Sequence, residues 1–398
     1  MSAKFPFSRA AGARLIAGSL LVCSSLSWAD VQIQGFANII AGTSGDDSEV
    51  LRGYDGDIGF KRDSLFGVQF TSDLSDGLSA TVQMVARARD DWDAEFTWAY
   101  LNYELSEQSS FQFGRIRVPF YKYSEFLEVG YAYHWITPPN SVYDLPLNNQ
   151  EGISYNYNGT VGSFDSSFQF SLGRISETMP FEVDPALDVF DGEVDGFDRR
   201  QADGRNNTSI VWSLTDFTWS FRVGYTLCPD CNLGLPTDDL AQLVAQQAPM
   251  FLDAMLAVED DVSFANIGIR YSGESWFTEV EYARFSGEDS FIPENTDSAY
   301  ITIGFNTDTS VFHITYEIED ADPREVAEIT GGAAIPVQLE QSIAGIAGAF
   351  AEDSETITFG WRYDFHRSAA FKLDISRVDD NLSGESYDLI TTGVSLVF

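Results

Sequence analysis

The chain has 398 residues, with 61 acidic against 23 basic side chains and a formal net charge of −38. Such a surplus of carboxylates argues against nucleic acid and anionic ligands as partners. Three cysteines are too few for a disulfide scaffold, and no cofactor is expected.

Lys4, Arg9 and Arg14 precede an apolar stretch from Leu15 to Leu26 and the small-x-small run Ser27-Trp28-Ala29. This order reads as a secretory signal peptide over 1–29, cleaved after Ala29, with 30–398 as one mature domain. The apolar stretch falls short of the ~20 residues that span a bilayer as a helix. Val22 before Cys23 does not suit a lipoprotein site. Removing the leader takes away basic residues only and leaves Cys228 and Cys231 as the remaining thiols.

From Asp30 onward the pattern is period two. Val82, Met84 and Ala86 alternate with Thr81, Gln83, Val85 and Arg87, and Phe312, Ile314, Tyr316 and Ile318 with His313, Thr315 and Glu317. Alternation predicts strands with one apolar and one polar face. They fall at 31–41, 58–73, 78–90, 94–105, 109–118, 151–158, 163–174, 206–214, 216–227, 262–272, 275–286, 296–307, 309–320, 354–366, 369–379 and 386–398. Both parities carry aromatics in the fourth and fifth strands, so their facing stays open. Every second connection is a tight turn, whereas the intervening ones are mostly long. A soluble sandwich has no reason to segregate loop lengths by end, but an outer-membrane barrel does. The expected fold is therefore all-β: a transmembrane antiparallel β-barrel of about 16 strands. Trp98, Tyr103, Tyr225, Trp276, Tyr363 and Phe398 near strand ends suit interfacial girdles.

Four features carry a family resemblance: the first strand "VQIQGFANIIAG", the strand end "FGRIRVPF", the long third loop after it, and a last strand "LITTGVSLVF" ending on Phe398. In these the chain resembles the general, trimeric porins of Gram-negative outer membranes. The resemblance implies an outer-membrane location, a homotrimer, contact with membrane lipids and lipopolysaccharide, and Phe398 as the signal read by the barrel-insertion machinery. It also implies a third loop folded into the lumen, which explains why Phe120, Tyr121, Tyr123, Phe126, Tyr131, Tyr133 and Trp135 can crowd one loop. Glu125 and Glu128 on that loop would oppose Arg87, Arg89, Arg115 and Arg117 on the wall, with Arg222 a further lumen candidate. Opposed charge rows give a transverse field at a constriction. The plainer role for those arginines is ion pairing with loop acids.

The function this implies is passive diffusion of small hydrophilic solutes and ions, with a modest cation preference from loop acids such as Glu177, Glu182, Asp184, Asp188, Asp320, Asp322, Glu325 and Glu328. One alternative is a sugar-specific channel with Tyr131, Tyr133 and Trp135 as a track. Another is a barrel hydrolase, for which only His134, His313 and His366 are available and no His-acid pair is expected to converge. Cys228-Pro-Asp-Cys231 stands at the predicted start of a long loop, so a disulfide is favoured over redox chemistry. Asp191 to Ala202 begins like a calcium loop but lacks the bidentate Glu at the twelfth position, and no metal site is expected. Apolar residues between 237 and 258 recur at helical spacing, which suits a helix at the mouth or against a neighbouring subunit.

Overall fold

The computed structural model describes residues 31–45, 52–143, 145, 147–182, 197–232, 259–287, 293–348 and 350–398. Sixteen antiparallel strands pair in sequence order and close into one barrel through β1 and β16. They are β1 Val31–Thr43, β2 Leu65–Ser75, β3 Leu78–Arg87, β4 Ala94–Ser106, β5 Ser109–Arg117, β6 Asn149–Val161, β7 Phe164–Glu182 and β8 Phe197–Thr215. The second half comprises β9 Trp219–Asn232, β10 Glu259–Ser272, β11 Trp276–Gly287, β12 Asn295–Asn306, β13 Ser310–Ala321, β14 Glu352–His366, β15 Ala369–Asp380 and β16 Glu385–Val397. None of the described helices is long and apolar enough to cross a membrane; the strands supply the crossing.

The period-two pattern produces the two faces. On β13, Phe312, Ile314, Tyr316 and Ile318 are exposed on the outside, while His313, Thr315 and Glu317 are buried on the inside. An apolar exterior over a closed ladder satisfies every backbone group without water, as a bilayer requires. The last residue completes the closure. Phe398 exchanges backbone hydrogen bonds of 2.9 and 2.8 Å with Gly35. Its ring lies over Gly35, where any Cβ would collide with it, and stacks 5.9 Å from Phe66. No strand edge is left free.

Connections segregate by end. Residues 76–77, 107–108, 162–163, 216–218, 273–275, 307–309 and 367–368 make short turns at one end, and the long connections stand at the other. β2 starts at Leu65 rather than near 58, because the Ser64 hydroxyl takes both backbone groups of Ile40 and ends the ladder there. β7 and β8 continue to Glu182 and back from Phe197, so much of the predicted loop 175–205 is a β-hairpin. Apolar alternation is needed only at lipid depth; beyond it, backbone bonding alone sustains the pairing. Residues 197–202 of the calcium-like frame are strand for this reason, which denies them the curled backbone an ion loop needs, and 191–196 lie outside the described residues. The helix expected between 237 and 258 also lies outside them. A helix at Val337–Gly348 in the seventh long connection was not expected, though Leu339, Ile343 and Ala347 are buried at the i, i+4, i+8 spacing of one helix face.

Candidate functional site

The third long connection, 118–148, runs inside the barrel and is bonded to lumen-facing side chains along its length. At its root, Arg222 donates to the Pro119 carbonyl (2.6 Å), Lys122 pairs with Glu279 (2.8 Å), and the Tyr143 hydroxyl donates to Glu281 (2.6 Å). At its far point Gly130 lies flush on the wall, where a Cβ would strike Asn38 and Ser395. Lys372 donates to the carbonyls of Gly130 and Trp135, and Arg362 to those of Tyr131 and Tyr133. Trp135 Nε1 donates to Thr315 (2.9 Å), and the Ile136 amide to Asp374 (2.8 Å). On the way out, Glu177 accepts from the Asn148 amide (2.6 Å) and the Asn149 side chain (2.7 Å). A loop without ladder partners can lie inside a barrel only if its backbone groups are satisfied this way. Glu177 is thus a buried anchor, correcting its assignment to an exposed acidic loop.

This seating disposes of the aromatics. Tyr121, Tyr133 and Trp135 are at most 4% exposed and pack against the wall, so Tyr133 and Trp135 offer no surface to a passing sugar. Phe126 is the exception at 49% exposed, next to the exposed Glu125. Glu125 makes no ion pair among the described residues, and Tyr100 and Arg222 on the wall are within its electrostatic reach.

Glu128 behaves differently from Glu125. It bonds directly to both Arg87 and Arg117, the latter at 2.8 Å. Arg87 also pairs with Glu95 (3.0 Å), and Arg115 with Glu95 (3.2 Å) and Glu177 (3.1 Å). Arg87, Arg115 and Arg117 are therefore held in direct ion pairs, the plainer of the two roles, while Arg89, among the described residues, has Asp90 at 3.9 Å as its ion-pair partner. Arg62, which sequence reasoning passed over, is a like-charged neighbour of Arg89 from the first long connection. The sequence put it in a strand at 58–73, but residues 58–64 lie outside β2, so alternation does not show which way its side chain turns.

The ambiguous facing of β4 and β5 has a local cause. Phe113 faces outward, and strict alternation would send Arg115 and Arg117 after it, at a cost of ~2–4 kcal/mol per charge at the bilayer midplane. Gly114, at φ 133°, breaks the alternation, and Arg117 lies inside with its guanidinium 6.0 Å from the Trp98 ring. A bulge opposite Gln83 does the same on β4, where Thr97 donates to Gln83 inside the barrel. Trp98 is consequently a lumen residue, correcting its place in the girdle, whereas Tyr103, Tyr225, Trp276 and Tyr363 are exposed on the outside.

Cys228 and Cys231 form a disulfide with Cα atoms 5.6 Å apart. They stand within β9 rather than at the start of a loop, and both are buried in the cluster that includes Ile175, Phe264, Phe120 and Tyr121. Gly204 makes room for the two sulfurs. The histidine expectation also needs correcting. His313 Nε2 lies 3.4 Å from Asp374 Oδ1, with the His134 ring centroid 4.8 Å from that of His313. The two wall residues come from β13 and β15, and meet across Gly360 of β14. Period-two reading gave His313 its face but could not show that a glycine between it and Asp374 leaves the gap open.

No family model matches the chain, and no curated protein does. Solved structures match across nearly its whole length. A loop L8 deletion mutant of OmpT, an outer membrane protein of Vibrio cholerae, aligns with a TM-score of 0.55 at 15% identity, covering 92% of this chain and 99% of its own. OmpF of Salmonella typhi in complex with daunomycin aligns at 0.55 and 11% identity, covering 92% and 97%. An anion-selective porin from Comamonas acidovorans aligns at 0.55 and 13% identity, covering 93% and 100%. With its apolar exterior, segregated loops and inward third loop, the chain is a sixteen-stranded outer-membrane β-barrel with the fold of these three structures.

Proposed function

We propose that the protein is a passive diffusion channel for small hydrophilic solutes and ions, with a modest preference for cations. The observation that carries this reading is the division of labour along the third loop. Its buried residues fasten it to the wall, while Glu125 and Phe126 stay exposed opposite Tyr100 and Arg222. A loop seated in this way narrows a lumen without closing it by a moving part. Because Arg87, Arg115 and Arg117 are held in ion pairs, any transverse field falls to Glu125 against Arg222, with Arg62 and Arg89 as further cations.

Reversal potentials across a planar bilayer under a salt gradient test the charge argument. Cation preference should be largest in dilute salt and shrink as the Debye length falls to ~8 Å at physiological ionic strength. Glu125→Gln should move the potential toward anions; anion preference of the parent protein at low salt refutes the reading. A sugar-specific channel is less favoured, since two of its three candidate track residues are buried. A hydrolase is less favoured too, because the His313 side chain has no exposure through which a substrate could reach it.

Assembly as a homotrimer is part of the same proposal. A trimer form of Vibrio cholerae OmpT is among the similar structures, and Trp92, half-exposed on the short second connection, suits contact with a neighbour. Cross-linking in detergent should give a trimer band; a monomer band alone would count against it.

A further inference from the structure

The far point of the third loop rests on a cluster whose polar atoms are conspicuously unpaired. His134 Nε2, His313 Nδ1 and Nε2, and Asp374 Oδ1 are all buried without a hydrogen-bond partner. Other buried polar atoms near the loop, such as Asn38 Oδ1, Ser395 Oγ and Ser141 Oγ, also lack partners, but here four lie together on two imidazoles and one carboxylate, and so many idle atoms in one place call for an occupant. Among the described residues no three such donors are arranged to hold a metal. A proton suits the geometry better. His313 Nε2 and Asp374 Oδ1, 3.4 Å apart, need only a small approach to bond once the imidazole is charged.

We propose that His134, His313 and Asp374 form a proton-binding site that releases segment 130–136 of the third loop from the wall in acid. A proton held between His313 and Asp374 closes the 3.4 Å gap. That carboxylate already accepts the Ile136 amide, so a second proton, on His134, finds no acceptor left. It would stand beside a charged His313 and near the cations Lys372, Arg270 and Lys122. Lys122 and Arg270 are themselves tied to Glu279, and Arg362 faces the segment from β14 through its bonds to the Tyr131 and Tyr133 carbonyls. The Trp135 and Phe277 rings also contact His134, and neither offers a charged imidazole a hydrogen-bond acceptor. Burial, with His313 next, pushes the His134 imidazole well below its ordinary range. A group with a depressed folded value favours the seated loop fully above the unfolded value, near ~6.5, and loses that contribution as pH falls toward the folded one. Release therefore begins below about pH 6.5.

The proposal rests on the channel reading only for its effect on conductance, so two readouts are needed. Hydrogen exchange of peptides covering 130–136, corrected for the intrinsic pH dependence of exchange, should rise at least roughly tenfold between pH 7.5 and 4.5, on the order of the 1.4 kcal/mol that a tenfold change represents. It should rise far less in His134→Gln and His313→Gln. Single-channel recordings over the same range should show new conductance states in the parent protein that both variants lack. His366→Gln is the control for a histidine outside the cluster, since His366 flanks the short turn at 367–368 and accepts from the Ser368 amide, the segment touching that turn through the Tyr131 hydroxyl on the Arg367 carbonyl; it should respond like the parent. An acid response that survives in both His134→Gln and His313→Gln, or parent exchange that does not change with pH, overturns the latch. If exchange responds while no conductance exists at any pH, the latch stands and the channel reading fails.

Discussion

Glu128→Gln should destabilise the seated third loop by about 3 kcal/mol, the lower end of the ~3–5 kcal/mol expected when one partner of a buried ion pair is removed. The lower end applies because Arg87 keeps Glu95; among the described residues Arg117 then keeps the Trp98 ring alone, which holds the loss from falling below that end. Two further Arg117 nitrogens are already without partners, so nothing stands ready to take up the lost charge. Denaturant unfolding in detergent should show the shift, and recordings should show added current noise as the loop loosens. Glu125→Gln, by contrast, should leave stability within ~0.5 kcal/mol, as an exposed site without close partners predicts. Parity between the two variants would mean that the Glu128 pair is solvated and dispensable. The pH dependence has a definite sign. Burial pushes the Glu128 carboxyl up, but the Arg117 and Arg87 guanidiniums outweigh it and hold it at about 2. Its contribution is therefore intact above the ordinary carboxyl range, declines as pH falls below that range and is gone once pH has passed about 2. The histidine step begins at a higher pH.

Gly114→Ala should impair the barrel more severely than any side-chain change at the constriction. At φ 133° the backbone is in a region L residues rarely adopt, which costs on the order of 1–3 kcal/mol by itself. A Cβ would also fall on the Ala99 carbonyl oxygen and the Tyr100 backbone, which belong to the paired strand and cannot swing away. Relief by a regular strand conformation would return Arg115 and Arg117 to the lipid side. Either path predicts a loss above roughly 3 kcal/mol or failure to reach a heat-resistant folded form. Gel mobility of unheated samples and tryptophan emission would report it. A fully stable alanine variant would show that the turn of Arg117 into the lumen does not depend on Gly114.

These two sites mark where reading the sequence stops working. Strand number, strand order and the unequal ends of the barrel follow from local rules: side chains alternate, turns are short, and lipid demands an apolar face. Residues such as His313, Thr315 and Glu317 on β13 could be assigned inward for that reason alone. The interior of the third loop has no such rule. Neither the pairing of Glu128 with two arginines nor the freedom of Glu125, three residues away, is encoded in a period. Each depends on which wall residue the loop happens to meet across the lumen. Glycines had the largest hidden effect. Gly114 redirects β5, Gly204 receives the disulfide, and Gly360 opens the gap through which His313 meets Asp374. In the sequence all three look like interruptions of a strand pattern. Local alternation determined the barrel, whereas the lumen's chemistry was decided only by contacts between strands far apart in the chain, because a missing side chain matters through the neighbour that fills its place.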